Sequence, residues 1–139
     1  MSYATFSTPL PRWQRLAGSV MSGLVIAFLI FDGAIKLAPI APVTETLVAL
    51  GYSGDPSLAR GLGIMTLIIV LLYAIPRTSV LGAILLTGLL GGAITTHLRV
   101  GSPVFSHLLF GVYLGLLAWG GLYLRSETLR MLTPLRRKS

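Results

Sequence analysis

Four long apolar stretches divide this chain, each close to the ~20 residues a helix needs to cross a hydrocarbon core. The first runs from about Ala17 to Ala38, the second from about Pro56 to Ala74, the third from about Ser79 to Arg99 and the fourth from Pro103 to about Leu124. Local punctuation agrees with these limits. Asp55 stands where an N-cap is needed, Pro56 takes the first helical position, and Pro76 closes the far end. Ser102-Pro103 repeats the cap-then-proline entry.

The one long connection, Pro39 to Ser57, holds an apolar run from Pro42 to Leu50 that Gly51 stops, which predicts a short helix lying across one end of the bundle. Beyond the last span, Ser126 to Leu132 predicts a short interfacial helix, followed by a basic Arg136-Arg137-Lys138 tail suited to an anionic leaflet. The pattern therefore predicts an all-α membrane protein, with residues 1–139 forming a single domain of four transmembrane helices in an antiparallel bundle. A signal-peptide reading of the first segment fails, because it is too long, carries Asp32 and Lys36, and is followed by further apolar spans.

Composition sharpens this picture. Of 139 residues, 54% are hydrophobic and 11% charged, well below the quarter or so that a soluble surface needs. The formal charge of +7 belongs to tails and loops beside apolar spans, where it sets topology, so nucleic acid is not an expected partner. With no cysteine, dithiol exchange and thiolate ligation of zinc or an iron–sulfur cluster are excluded.

Charge also orients the spans. One side collects Arg12, Arg15, Arg77, Arg125, Arg130, Arg136, Arg137 and Lys138, and the other only Lys36, Arg60 and Arg99. The positive-inside rule then predicts cytoplasmic termini, with Trp13, Trp119 and Tyr123 at the inner interface. Spans one and three end at the outer face, where two and four begin. Asp32, Lys36, Arg60, His97, Arg99 and His107 are thus expected to share one outer rim, as a ligand-binding set with no catalytic or metal role assigned.

At 100° per residue, Gly18, Met21, Val25, Asp32 and Lys36 share a stripe of span one. Asp32 lies about 9 Å inside the boundary. A carboxylate there costs ~2.5–3.5 kcal/mol unless it faces a partner or water, and Lys36 at i+4 is the nearest partner. The pair is read either as a local ion pair that lets Lys36 snorkel or, with Arg60 or Arg99, as part of a polar ligand site. On span three, Gly88, Gly92, Thr95 and Arg99 form a small-residue face with Gly91 beside it, as expected for close helix packing. His97 projects nearly opposite, in line with Leu86, Leu90 and Ala93. On span four, His107, Gly111, Gly115 and Ala118 share a packing face, and His107 is expected to face inward.

Four readings of the two histidines stay open: a bis-His haem, zinc with a third ligand from Asp32, Glu45 or Asp55, hydrogen bonding and proton transfer to an apolar ligand, or satisfaction of buried backbone and loop groups. No phosphate-binding loop, dinucleotide fingerprint, His-Glu-x-x-His or Gly-x-Ser-x-Gly occurs.

Phe31-Asp32-Gly33-Ala34-Ile35-Lys36-Leu37, Ile75-Pro76-Arg77-Thr78 and Gly91 to Arg99 follow in an order that resembles the DoxX-like family of small bacterial four-helix membrane proteins. The resemblance covers roughly residues 17 to 124. It implies a bacterial cytoplasmic-membrane bundle, loosely associated with respiratory or oxidative-stress redox systems. Gly33, Lys36, Gly92, Thr96 and His97 are its motif positions, with no role attached to them. Asp32 stands where small or hydroxyl residues are commoner. The lack of cysteine separates the chain from four-helix proteins of the vitamin K epoxide reductase type.

Three functions are then expected to compete. The first is a binding or accessory subunit that holds a quinone-like molecule or a lipid at the outer rim. The second is a scaffold whose small-residue faces bind other membrane proteins or a second copy. The third is a subunit of a quinone-linked oxidoreductase, or a haem-bearing electron-transfer subunit. A transporter fits poorly, for lack of paired broken helices and a charged midplane site.

Overall fold

The computed structural model describes residues 11–38 and 40–132, apart from the side chains of His107, Leu108 and Leu132. The tail Arg136-Arg137-Lys138 lies outside the described residues. Four helices are long and apolar enough to cross a membrane: α1 (Arg12–Leu37), α3 (Pro56–Ala74), α4 (Ser79–Arg99), and a fourth made of a π turn (Val104–Leu108) running into α5 (Leu109–Arg125). Two short helices complete the order, α2 (Ala41–Ala49) between the first two spans and α6 (Glu127–Leu132) after α5. The chain is an all-helical four-span bundle. Helix α1 starts at Arg12, five residues before the apolar run expected from Ala17, because Arg12 to Leu16 can stay helical at the boundary.

Each span packs on two neighbours: α1 and α4 both contact α3 and α5, and face each other across the diagonal. Glycine sets the closest approaches. A Cβ on Gly63 of α3 would fall 2.7 Å from the carbonyl oxygen of Gly33 on α1, and one on Gly18 of α1 would fall 2.8 Å from that of Gly121 on α5. Lipid is as apolar as leucine, so contact of this kind, rather than exclusion of water, holds such helices together. For the same reason Leu24, Phe31, Ile68, Leu71 and Leu116 stay exposed without penalty on the lipid face.

The inward stripe of α1 is Gly18, Ser22, Val25, Leu29 and Gly33; it shares Gly18 and Val25 with the expected stripe, but Ser22 replaces Met21, and Leu29 and Gly33 replace Asp32 and Lys36, which are only partly buried. The core joins Val25 and Leu29 to Ile69, Val70, Tyr73, Ala83, Leu86, Leu114, Ala118 and Leu122. It lies toward the tail end, where α1 begins and α5 finishes. In α4 the buried residues are Ser79, Gly82, Ala83 and Leu86, and none follows toward the rim.

A directed hydrogen-bond chain crosses the tail end. The Arg125 guanidinium donates to Ser22 Oγ at 2.9 Å, and the fully buried Tyr73 hydroxyl donates to the Ala118 carbonyl at 2.8 Å. Tyr73 has a single proton to give, so Ser22 donates to it across their 2.8 Å contact. One cation and two hydroxyls thereby tie α1, α3 and α5 with every polar group satisfied. Outside this chain, Arg130 donates to the Tyr123 and Leu124 carbonyls at 2.7 and 3.1 Å, satisfying the last turn of α5, and reaches Gln14 Oε1 at 2.9 Å. Trp119 donates its indole N–H to Thr87 at 2.8 Å and ties α5 to α4.

Candidate functional site

Two helices end at the rim in the same way. Gly51 and Gly101 adopt positive φ (86° and 71°), and the amides that follow bond back five residues, Tyr52 to the Leu47 carbonyl at 2.9 Å and Ser102 to the His97 carbonyl at 3.0 Å. The glycine amides bond three residues back, to Val48 and Leu98. Both are Schellman motifs, in which the first and last of six residues usually meet through an apolar contact. After α4 those residues are His97 and Ser102, and they meet through a hydrogen bond, Nδ1 to Oγ at 2.9 Å. The ring of His97 is therefore oriented by the way its own helix ends.

The α2 motif is tied to the same place. Thr96 donates to the Gly92 carbonyl at 2.8 Å, so Tyr52 is the donor in its 3.3 Å contact with Thr96 Oγ1. The loop before α3 is thus pinned to the rim end of α4. Asp55 caps α3 by accepting from the Ser57 amide at 2.9 Å. That backbone hydrogen bond, helped by the Ser57 hydroxyl and Arg60, holds the Asp55 carboxyl below the ordinary carboxylate range.

Asp32, Lys36 and Arg60 gather at the α1–α3 corner. Lys36 Nζ lies 2.6 Å from Asp32 Oδ2, with the two side chains 24% and 28% exposed. Lys36 stands in the last turn of α1, where the helix dipole favours a cation. Its stem leaves beside Gly63, where an added Cβ would meet Lys36 Cβ at 2.9 Å. Arg60 Nε donates to the Leu37 carbonyl at 3.3 Å and closes the end of α1. One turn deeper than Asp32, Phe28 meets Phe110 with ring centroids 5.0 Å apart, which joins α1 to α5 just after the π turn.

His97 belongs to the diagonal helix and is half-buried on the face that carries Leu86, Leu90 and Ile94. Ile94 and Leu90 fill the space beside Gly111 and Gly115 of α5. The opposite face of α4 is open: added Cβ atoms on Gly88, Gly91 and Gly92 would meet nothing within 4 Å. The glycine face expected to pack closely therefore points away from the bundle. Arg99 is exposed on that side, its guanidinium extended toward the Gly51 turn. His107 lies in the π turn, and its side chain is outside the described residues.

Five of the six rim residues thus divide into an α1–α3 group (Asp32, Lys36, Arg60) and an α4 group (His97, Arg99), both at the mouth opposite the packed core, while the His107 backbone lies in the π turn. Among the described residues no three of His, Asp and Glu converge as a metal site. Reasoning from sequence did not find Ser22, Tyr73 and Arg125, which organise the other end. The stripe of α1 through Gly18 was the available signal for Ser22, and nothing local marks its partners 51 and 103 residues away.

No curated protein and no solved structure matches the chain. The model of the DoxX-like family matches residues 20–121, which takes in all four spans and both halves of the rim. The chain belongs to the DoxX-like family.

Proposed function

We propose that this DoxX-like protein is a membrane-embedded binding subunit that holds a hydrophobic small molecule with a polar head, quinone-like or lipid, at the rim. The observation that carries the reading is the Asp32–Lys36 pair, its carboxylate about five residues inside the end of a spanning helix and its amine in the last turn, a quarter exposed at a mouth that the core does not fill. An intramembrane ion pair is costly unless water or a ligand's polar atoms share the site. Lys36 and Arg60 supply donors for a carbonyl or hydroxyl, Asp32 an acceptor, and His97 and His107 groups that exchange protons near neutral pH. Arg99 stands at the edge of the set, beside the Gly51 turn, as a further donor for a ligand's polar head. Electron transfer would then reside in a bound quinone or a partner redox protein, with this chain as accessory subunit. The eight cationic residues of the tail end orient that end to the cytoplasm of a bacterial inner membrane and the rim to the outer leaflet.

Gentle purification followed by organic extraction, mass spectrometry and an absorption spectrum tests this reading. A stoichiometric quinone or lipid supports it, and a haem band supports a bis-His cofactor in its place. If Asp32→Asn and His97→Ala leave ligand content and phenotype unchanged, the rim site is abandoned. A second reading, as a scaffold for other membrane proteins or a second copy, is favoured by the open Gly88, Gly91 and Gly92 face of α4. Its mark is an empty rim with co-purifying membrane proteins.

A further inference from the structure

The tail end carries a second set of cations that the fold does not use. Arg12 and Arg15 stand in the first turn of α1, where the helix dipole disfavours positive charge and no acidic residue offsets it. Both are exposed, and neither makes a hydrogen bond or ion pair with another described residue. Their neighbour Gln14 turns the other way and is taken by Arg130 of α6. At about 100° per residue, Arg12, Ser19 and Gly23 lie on the flank opposite Gln14, with Arg15 at its edge. Among the described residues nothing fills that flank: Ser19 and Gly23 are exposed, and a Cβ on Gly23 would meet nothing within 4 Å.

Next to it on the helix surface are Trp13, Leu16 and Val20, which are 65%, 65% and 54% exposed. These place the two arginines at the membrane boundary rather than in water, so a ligand reaching both guanidiniums must itself be amphiphilic. We infer that Arg12, Arg15, Ser19 and Gly23 form a seat for one anionic phospholipid, its phosphate between the guanidiniums and an acyl chain along the open helix surface at Gly23. The depths match such a molecule. Ser19 lies about 6 Å past Arg15, at the level of the glycerol esters, and Gly23 about 12 Å past it, among the acyl chains. Guanidinium is the side chain best shaped to hold a phosphate through paired hydrogen bonds. The seat lies at the opposite end from the rim site and stands whether or not that site binds a ligand.

The test is native mass spectrometry of the full chain in detergent, titrated with phosphatidylglycerol and, as zwitterionic control, phosphatidylcholine. Wild type is expected to prefer phosphatidylglycerol. Each arginine near an anionic surface contributes roughly fivefold, so Arg12→Gln with Arg15→Gln should weaken phosphatidylglycerol about 25-fold and phosphatidylcholine, whose phosphate is offset by its own choline cation, much less. Gly23→Leu should weaken both lipids by crowding the surface on which the acyl chain lies, and glycerophosphate should not displace the bound lipid. Undiminished phosphatidylglycerol binding by the double variant overturns the proposal. So does displacement by glycerophosphate, which would leave only a site for soluble anions. Both arginines are exposed, so melting temperatures matching wild type are expected and serve as the folding control.

Discussion

Gly82 and Gly92 lie ten residues apart on one helix, yet the same substitution at each should move stability in opposite directions. In a helix, glycine to alanine gains about 1 kcal/mol from reduced backbone freedom in the unfolded chain. At Gly92 that gain stands alone, because the new methyl enters open space. At Gly82 the methyl would be driven into the backbone of α3, 2.8 Å from Leu72 C and closer still to Tyr73 N and Cα. Backbone atoms have no rotamer to swing away, so α3 and α4 must separate by roughly 1 Å. Tyr73 resists that shift, its hydroxyl being fixed by Ser22 and the Ala118 carbonyl. Overpacking of this kind costs about 1–3 kcal/mol, and the rigid neighbours put Gly82 at or beyond the upper end. The net is a loss of about 2 kcal/mol for Gly82→Ala against a gain of about 1 kcal/mol for Gly92→Ala. At roughly 3–5 °C per kcal/mol for a chain of this size, the melting temperature should fall by about 6–10 °C in the first case and rise by about 3–5 °C in the second. Tryptophan fluorescence during heating in detergent reads both. If the two variants shift in the same direction, the outward orientation of the α4 glycine face is wrong.

Tyr73→Phe should lower stability by about 1–3 kcal/mol in the same melting assay, since Ser22 loses its acceptor in a buried site. Removing one partner of the rim ion pair, in Asp32→Asn or Lys36→Met, should cost more than removing both, and a double-mutant cycle on melting temperature measures the difference. For Asp55, a folded-state carboxyl held below its ordinary value of 3.8 stabilises α3 at all higher pH and loses that contribution as pH falls through the lowered value. Asp55→Asn keeps a capping oxygen that does not titrate, so thermal melts of the two proteins should diverge only below about pH 4. Ser102→Ala should remove the Nδ1 contact that orients the His97 ring, and a change in the NMR chemical shifts of the His97 imidazole is the expected sign.

How far the chain could be read in advance depended on how local each signal was. The α3 entry at Asp55-Pro56 and the stop at Gly51 rest on groups within a few residues, and both appear as expected. The division of Thr95 to Arg99 into two faces also followed from helical periodicity alone. What periodicity could not decide was which face turns inward. In lipid an apolar or small residue is equally at home against a neighbour or against acyl chains, so glycines spaced four apart announce close packing without naming a partner. Here the bundle took Leu86, Leu90, Ile94 and His97 and left Gly88 and Gly92 open. Polar groups can break that symmetry, but only when their partners are known. Asp32 and Lys36 are four residues apart and were read as a pair. Nothing beside Tyr73 in the chain marks it, because the two groups that engage its hydroxyl, Ser22 and the Ala118 carbonyl, come from helices far away in sequence. His97 shows the same limit from the other side. Its position suggested ligand chemistry, and its Nδ1 is in fact engaged at a helix end by Ser102, five residues on, in the place where an apolar contact is usual. Any chemistry at the rim must therefore work with an imidazole whose orientation the Gly101 turn has already set.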